Sequence, residues 1–262
     1  MGKAVWKAML KLVKYELRKN RTALLVLLAV IAAIEAYFLI SIAREADTDV
    51  IVSLSLLTFA MAASSLAVFI FGVSSYSGEL KRKSSYLIFM TPNSTLAVIV
   101  SKLLFTLTLS VLFTALTLSL IAVDIPLVAE TYGEWEGYFA LVDAMMAQQG
   151  ISIREMLLSV ALTFAQMFLQ LLSYVGVAYL AITISATILN SRKGRGFLSF
   201  ALFCAIVYGL SCISGLYVYN ALESGFTVSY VRLLLPSLLQ SALVVALSAF
   251  LSAWLLKNRV SL

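Results

Sequence analysis

Six apolar runs divide this chain, and each is long enough to cross a lipid bilayer as a helix. A spanning helix needs about 20 predominantly apolar residues because the hydrocarbon core is about 30 Å thick. Apolar residues make up 62% of the chain and charged residues 12%, against about a quarter charged in soluble domains. The sequence therefore predicts an all-α polytopic membrane protein with six transmembrane helices, near 22–43, 51–76, 95–123, 156–189, 197–219 and 233–256.

The Lys and Arg residues are concentrated in alternate gaps between these runs. The segment before the first run is rich in them, as are 77–94, 190–196 and the tail. The other gaps hold only Arg44, Arg154 and Arg232, together with most of the acids. Basic residues beside spans stay cytoplasmic. We therefore expect one multi-pass domain covering 1–262, in the plasma membrane, with the N and C termini in the cytoplasm.

The net charge of +6 follows from this topology. Basic residues on one side of a membrane attract anionic lipid, so we expect membrane lipid as a partner and no nucleic acid. The chain has no His and no phosphate-binding loop, dinucleotide fingerprint or zinc-protease motif. We accordingly predict no catalytic residues, no metal site and no bound cofactor, and the chain is not expected to be an enzyme by itself.

Residues 1–21 are predicted to form an amphipathic helix before the first span. The basic residues fall on one stripe of a helical wheel and the apolar residues on another, which is typical of a helix lying in the membrane interface. A disordered basic arm is the alternative. The residues assigned to this interfacial elbow are Lys3, Trp6, Lys7, Lys11, Lys14, Glu16 and Arg18.

The cytoplasmic segment 77–94 combines charged and apolar residues. Residues 79–90 are predicted to form a three-turn helix, which ends because Pro92 biases Thr91 away from helical geometry. A short helix with charges at one end and apolar side chains at the other suits a protein partner. A simple interfacial loop is the alternative.

The longest outer segment is predicted at 124–155, where six acids face one Arg. It also holds Trp135 and Tyr138, and aromatic side chains favour the headgroup level of a membrane. We expect a short amphipathic helix there, resting on the outer interface.

A few polar residues lie within the apolar runs. Glu35 is an acid inside the first run, and it either contacts substrate or a proton, or reaches water near the outer boundary. Gln166, Gln170 and Tyr174 share one face of the fourth run. They line either a translocation path or a contact between helices, since interhelical hydrogen bonds are common in membranes.

Two segments resemble the ABC-2 (type V exporter) family of ABC transporter permeases. That family begins with an elbow helix bearing a Lys-x-Glu-Leu-Arg-like sequence, which appears here as 14–18. After the second span it carries a Glu, a small residue, an apolar patch, Pro-x-Ser and a Lys. The corresponding positions are Glu79, Ser84, 87–90, Pro92, Ser94 and Lys102, with Ser84 and Thr95 departing from the usual Gly and Arg.

The resemblance implies a permease that is driven by a separate polypeptide. The expected partners are two copies of an ABC ATPase, which binds ATP and magnesium, and a second permease, either identical or homologous. Export of an amphiphilic drug, peptide or lipid-like molecule is the implied function. The coupling segment 77–94 would contact the ATPase through Glu79, Arg82, Lys83, Tyr86, Phe89 and Pro92.

Two other classes of function remain open from the sequence. An ion-coupled secondary transporter would use Glu35 as its coupling group. A membrane scaffold or sensor would use the polar faces of the spans for packing alone.

Overall fold

The computed structural model describes residues 2–81, 95–133, 153–189, 194–223 and 230–258. These residues form six long helices, and all six are long and apolar enough to cross a membrane. The prediction of an all-helical protein with six potential spans is confirmed. The helices are α1 Gly2–Ala43, α2 Asp47–Lys81, α3 Thr95–Tyr132, α4 Ile153–Ile188, α5 Arg195–Glu223 and α6 Tyr230–Asn258.

Helix α1 joins two elements that the sequence analysis separates at residue 21. It has 42 residues, about twice the number that crosses the hydrocarbon core, and its regular backbone continues through the predicted boundary. Lys11, Lys14 and Arg18 are exposed, whereas Met9 and Val13 are buried. This division agrees with an amphipathic segment. Its position in the membrane interface stays a prediction.

Helix α1 ends in a turn that the sequence does not announce. Glu45 has a φ of 52°, its N–H donates to the Ile42 carbonyl at 3.0 Å, and the Ala46 N–H donates to the Ser41 carbonyl at 3.3 Å. This pair of bonds is the Schellman arrangement, in which Gly normally occupies the left-handed position. Helix α2 follows at once, with Asp47 and Asp49 in its first turn, where negatively charged side chains interact favourably with the helix dipole.

Helix α3 extends beyond its predicted end at residue 123. It passes through Pro126 and continues to Tyr132, and Gly133 at a φ of 70° follows it. A proline inside a membrane helix is tolerated when neighbouring groups satisfy the backbone that it frees. The helix therefore continues past the predicted end of the third span at 123, whereas the start of the outer segment at 124 stays a prediction. The interfacial helix expected within 124–155 falls largely outside the described residues.

The described residues pack as two compact units. The first comprises the described residues of Met1–Leu17, Phe69–Leu107 and Ser159–Leu262, and the second those of Arg18–Val68 and Thr108–Leu158. A single membrane domain over 1–262 stays a prediction. In the first unit, α2, α3, α4 and α6 share a buried core of Tyr76, Ile99, Leu103, Val175, Tyr179, Ala249, Ala253 and Leu256. In the second unit, Phe38, Ile42 and Val50 pack with Leu127 and Val128.

Close helix approach in the first unit depends on glycines. A Cβ on Gly72 of α2 would lie 2.6 Å from Thr106 Oγ1 of α3, and one on Gly176 of α4 would meet Ser248 of α6. Small residues let helix backbones approach closely in membranes, where the hydrophobic effect does not drive helix association. At both positions a Cβ would collide with a side chain of the facing helix.

Candidate functional site

A buried ion cluster lies in the first unit, centred on Lys102 of α3. The Lys102 Nζ is 3.0 Å from Glu16 Oε1 of α1 and 2.8 Å from Glu79 Oε1 of α2. The side chains of Lys102, Glu16 and Glu79 are only 4%, 5% and 10% exposed. We call Glu16, Glu79, Lys102 and Ser75 the Lys102 cluster.

Ser75 completes the coordination of the ammonium group. Lys102 Nζ donates to the Ser75 carbonyl at 3.1 Å and to the Ser75 Oγ at 3.0 Å. Ser75 and Glu79 are four residues apart on α2, which places them on the same helix face. An ammonium group has three donors, and here two carboxylates, a hydroxyl and a carbonyl surround it. The cluster therefore connects α1, α2 and α3 through one side chain.

The Lys102 cluster borders a cavity of about 260 Å³. Leu12 and Tyr15 of α1 and Val98 and Ser101 of α3 also line it. Two carboxyl groups and one ammonium group thus meet beside open space rather than in a fully packed core. Buried charges are costly unless paired, and this pairing holds only while the three helices keep their positions.

Glu79 is buried, whereas a residue that docks onto another protein would be exposed. Its side chain is directed inward to Lys102, so in this chain its immediate partner is α3. The other predicted ATPase contacts, Arg82, Lys83, Tyr86, Phe89 and Pro92, lie outside the described residues. Contact of this segment with an ATPase stays a prediction.

The elbow residues divide in the same way. Glu16, assigned to the interfacial helix, is buried against Lys102, whereas Lys11, Lys14 and Arg18 of that group are exposed. The side chains of Lys3, Trp6 and Lys7 lie outside the described part of the chain. The elbow segment therefore carries one acid that faces inward among basic residues that face outward.

A stacked tyrosine pair lies beside the Lys102 cluster. The rings of Tyr76 and Tyr179 have centroids 4.4 Å apart. The Tyr76 hydroxyl is 2.6 Å from Thr183 Oγ1, and the Tyr179 hydroxyl donates to the Gly72 carbonyl at 3.0 Å. This pair joins α2 to α4, and the sequence analysis missed it because no spacing signal connects positions as distant as Tyr76 and Thr183, which are 107 residues apart.

A second pair of ionisable groups lies in the second unit. The carboxyl groups of Glu35 of α1 and Asp124 of α3 lie close enough to influence each other. Asp124 is buried, and its Oδ1 and the Glu35 Oε2 have no hydrogen-bond partner among the described residues. Glu35 is half-buried, and its contact with substrate, with a proton or with water near the outer boundary stays a prediction. Asp124 was missed because it was assigned to the outer segment.

The glutamine face of α4 contacts α6. Ser241 Oγ donates to Gln170 Oε1 at 2.8 Å, and Gln166 Nε2 is 3.4 Å from both Ser241 Oγ and Gln170 Oε1. On the other side of α6, Gln240 Nε2 donates to the Leu210 carbonyl at 3.1 Å and Gln240 Oε1 accepts from Ser214 at 3.0 Å. These bonds favour helix packing over a path for the face that Gln166 and Gln170 share.

A small cavity of about 20 Å³ lies within this polar contact. It is lined by Gln170, Tyr174, Ser214, Gln240 and Ser241, among others. About 10–15 Å³ is enough for one water molecule when two or more polar partners are present. The cavity is far too small for an amphiphilic substrate, so it offers no translocation path in the described conformation.

Comparison of the chain with profiles of known protein families, with curated protein sequences and with solved structures finds no match.

Proposed function

We propose that this chain is the permease subunit of an ATP-driven exporter of the ABC-2 type. One observation carries the proposal. Glu16 comes from the elbow sequence on which the resemblance rests, and Glu79 and Lys102 come from the coupling sequence. These three residues meet in one buried ion cluster, although 86 residues separate Glu16 from Lys102.

The cluster supports a mechanical role for the two segments. A force applied to the segment after Glu79 acts on Glu79 first, and Lys102 passes the displacement to Glu16 of α1. Buried ion pairs resist separation because an unpaired charge in a low-dielectric interior is costly. In this proposal, a separate ABC ATPase moves the coupling segment when it binds and hydrolyses ATP. The elbow and the first spans follow, and a path opens beside a second permease.

The proposal includes the orientation and the location of the chain. Both termini face the cytoplasm of a cell whose plasma membrane holds the protein, because the basic gaps lie on that side. The substrate is an amphiphile. The exposed apolar side chains of α2 and α5, such as Phe59, Phe200 and Tyr208, are available for lipid or a second permease.

The test is reconstitution of the full chain with the ATPase that co-purifies with it from native membranes. We expect ATP hydrolysis in the complex to drive export, and a Glu79→Gln, Arg82→Gln double variant to hydrolyse ATP without transport while inserting normally. Lys257→Gln is the matched control because Lys257 is an exposed cation at the end of α6. Transport by the double variant at the control rate contradicts the proposal.

The Glu35–Asp124 pair favours a second candidate, an ion-coupled secondary transporter. Two acids that lie together within the spans can exchange a proton, and ionisable groups inside membranes often mark proton pathways. This candidate predicts substrate movement in vesicles that contain the chain alone and a proton gradient. Glu35→Gln and Asp124→Asn would abolish that movement. A scaffold or sensor would show neither ATP-driven nor gradient-driven transport.

A further inference from the structure

A pocket of about 320 Å³ opens in the first unit between α2, α4 and α5. Its volume lies at the lower end of the range for small-molecule sites. Apolar side chains form most of its wall, among them Phe69, Val73, Leu80, Ile182 and Phe203. The rings of Phe69 and Phe203 are 5.9 Å apart and form part of this apolar wall.

Near the start of α5 the lining of the pocket is polar. Arg195, Ser185 and Ser199 line it there. Arg195 Nε donates to the Leu189 carbonyl at 2.8 Å, which holds the guanidinium group at the end of α4. The Ser185 and Ser199 hydroxyls are 3.1 Å apart. Arg195 and Phe203 are eight positions apart on α5, about 12 Å along the helix, so the pocket is an apolar slot with a polar mouth.

The charge at the mouth restricts the ligand. Among the described residues that line the pocket, Arg195 is the single charged one. A ligand that fits this slot is therefore apolar over about 12 Å and carries a negative charge at one end.

We propose that this pocket binds an anionic phospholipid, with one acyl chain along the apolar wall that includes Phe69 and Phe203 and the phosphate beside Arg195. The basic gap that contains Arg195 lies on the cytoplasmic side by the charge rule. The cytoplasmic leaflet carries the anionic lipids that attract such residues. Serine hydroxyls at the mouth supply hydrogen-bond donors for phosphate or glycerol oxygens. The site goes beyond the proposed function and does not depend on it, because an exporter, a carrier or a scaffold could each hold a lipid there.

The experiment measures lipid retention by the purified full chain. The chain is exchanged into detergent with phosphatidylglycerol or phosphatidylcholine, and bound lipid is counted by native mass spectrometry. We expect one phosphatidylglycerol to be retained in preference to phosphatidylcholine. The Arg195→Gln variant should lower that preference about five-fold, which is the contribution of one basic residue near an anionic headgroup. Arg195→Lys should keep most of the preference, and the control Lys257→Gln should keep all of it.

A second variant tests the slot without touching the charge. Ala186 lines the pocket and is partly exposed, so Ala186→Phe fills the slot from α4. It should remove the bound phosphatidylglycerol while the chain stays monodisperse. Equal retention by Ala186→Phe overturns the proposal, as does equal loss in Arg195→Gln and Lys257→Gln. Retention of phosphatidylcholine at the level of phosphatidylglycerol overturns it as well.

The outcome is separable from that of the proposed function. Lipid retention is measured on the chain alone, without ATPase or ATP. A chain that retains phosphatidylglycerol but never couples to an ATPase keeps the lipid site and loses the exporter. If neither the unaltered chain nor Ala186→Phe retains lipid and both export normally, the lipid site is wrong and the exporter proposal stands.

Discussion

The two units of this protein each bury ionisable side chains, but they combine the charges in opposite ways. In the first unit, one ammonium group lies between the carboxyl groups of Glu16 and Glu79. In the second unit, Glu35 and Asp124 face each other, and neither has a cation among the described residues. Opposite charges that are buried together hold each other in place, whereas like charges are mutually unfavourable unless a proton or a cation joins them.

This difference indicates different roles for the two sites. The Lys102 cluster joins three helices, so its ion pairs hold α1, α2 and α3 together. The Glu35–Asp124 pair brings two acids of α1 and α3 together, and a proton held between them would remove their repulsion. A site of that kind is expensive to keep inside a membrane helix, and such sites are functional more often than structural. The following predictions test this contrast, from the largest expected effect to the smallest.

Removal of the central cation should have the largest effect. Lys102→Met leaves two buried carboxyl groups without their ammonium partner, and breaking a buried ion pair in this way typically costs about 3–5 kcal/mol. We expect a loss of that size in the free energy of unfolding, measured by denaturant titration in micelles. Lys257→Met, which removes an exposed Lys, is the control. A loss no larger than that of the control would show that the cluster adds no net stability.

The two units should respond with opposite signs to the loss of one carboxylate. Glu79→Gln removes a charge-assisted bond to Lys102, which is worth about 1.5–3 kcal/mol. Glu35→Gln removes the repulsion with Asp124, and the Gln amide can donate a hydrogen bond to the Asp124 carboxylate. We therefore expect the free energy of unfolding to stay the same or to rise by up to about 1 kcal/mol. The same unfolding titration measures both variants. If both destabilise the protein equally, the contrast between the units is wrong.

The packing beside the Lys102 cluster should be less important than its charges. In Gly72→Ala the added Cβ would lie 2.6 Å from Thr106 Oγ1, and Thr106 is itself bonded to the Lys102 carbonyl. Overpacking of this kind costs about 1–3 kcal/mol. Gly209→Ala is the control, since a Cβ there meets no atom within 4 Å. An unfolding energy equal to that of Gly209→Ala would show that α2 and α3 adjust freely.

The polar contact between α4 and α6 should have the smallest effect. A double-mutant cycle of Gln170→Leu and Ser241→Ala isolates the bond from Ser241 Oγ to Gln170 Oε1. Hydrogen bonds between membrane helices contribute about 0.6 kcal/mol on average in such cycles. A coupling energy above about 2 kcal/mol would place this contact beside the Lys102 cluster in importance.

Much of the fold was predictable because it depends on local sequence. The starts of α3, α4 and α5 fall within a few residues of the predicted spans, since each run of apolar residues marks its own helix. The end of α1 was predicted at 43 and is at Ala43. The differences are local as well. Helix α3 runs past the predicted end of the third span at 123, through Pro126 to Tyr132, and the Schellman turn at Glu45 has no Gly to mark it.

The candidate sites were predictable only as separate residues. Glu16, Glu79, Lys102 and Glu35 each stood out by type and position, because a charge near or within an apolar run is unusual. Ser75 and Asp124, which complete these sites, did not stand out because nothing in the sequence around them marks them. The pocket beside Arg195 has no motif at all, since its wall is made of ordinary apolar side chains from three helices.

The sequence by itself determined the class of this protein: six apolar helices whose flanking charges predict an orientation in the membrane. It could do so because the length of an apolar run and the charge beside it are properties of a single segment measured against a bilayer. Only the tertiary structure decided that Lys102 takes two carboxyl partners while Glu35 takes another acid. Such pairing depends on which helix faces meet, and this involves residues far apart in the chain, such as Glu16 and Lys102, which are 86 positions apart.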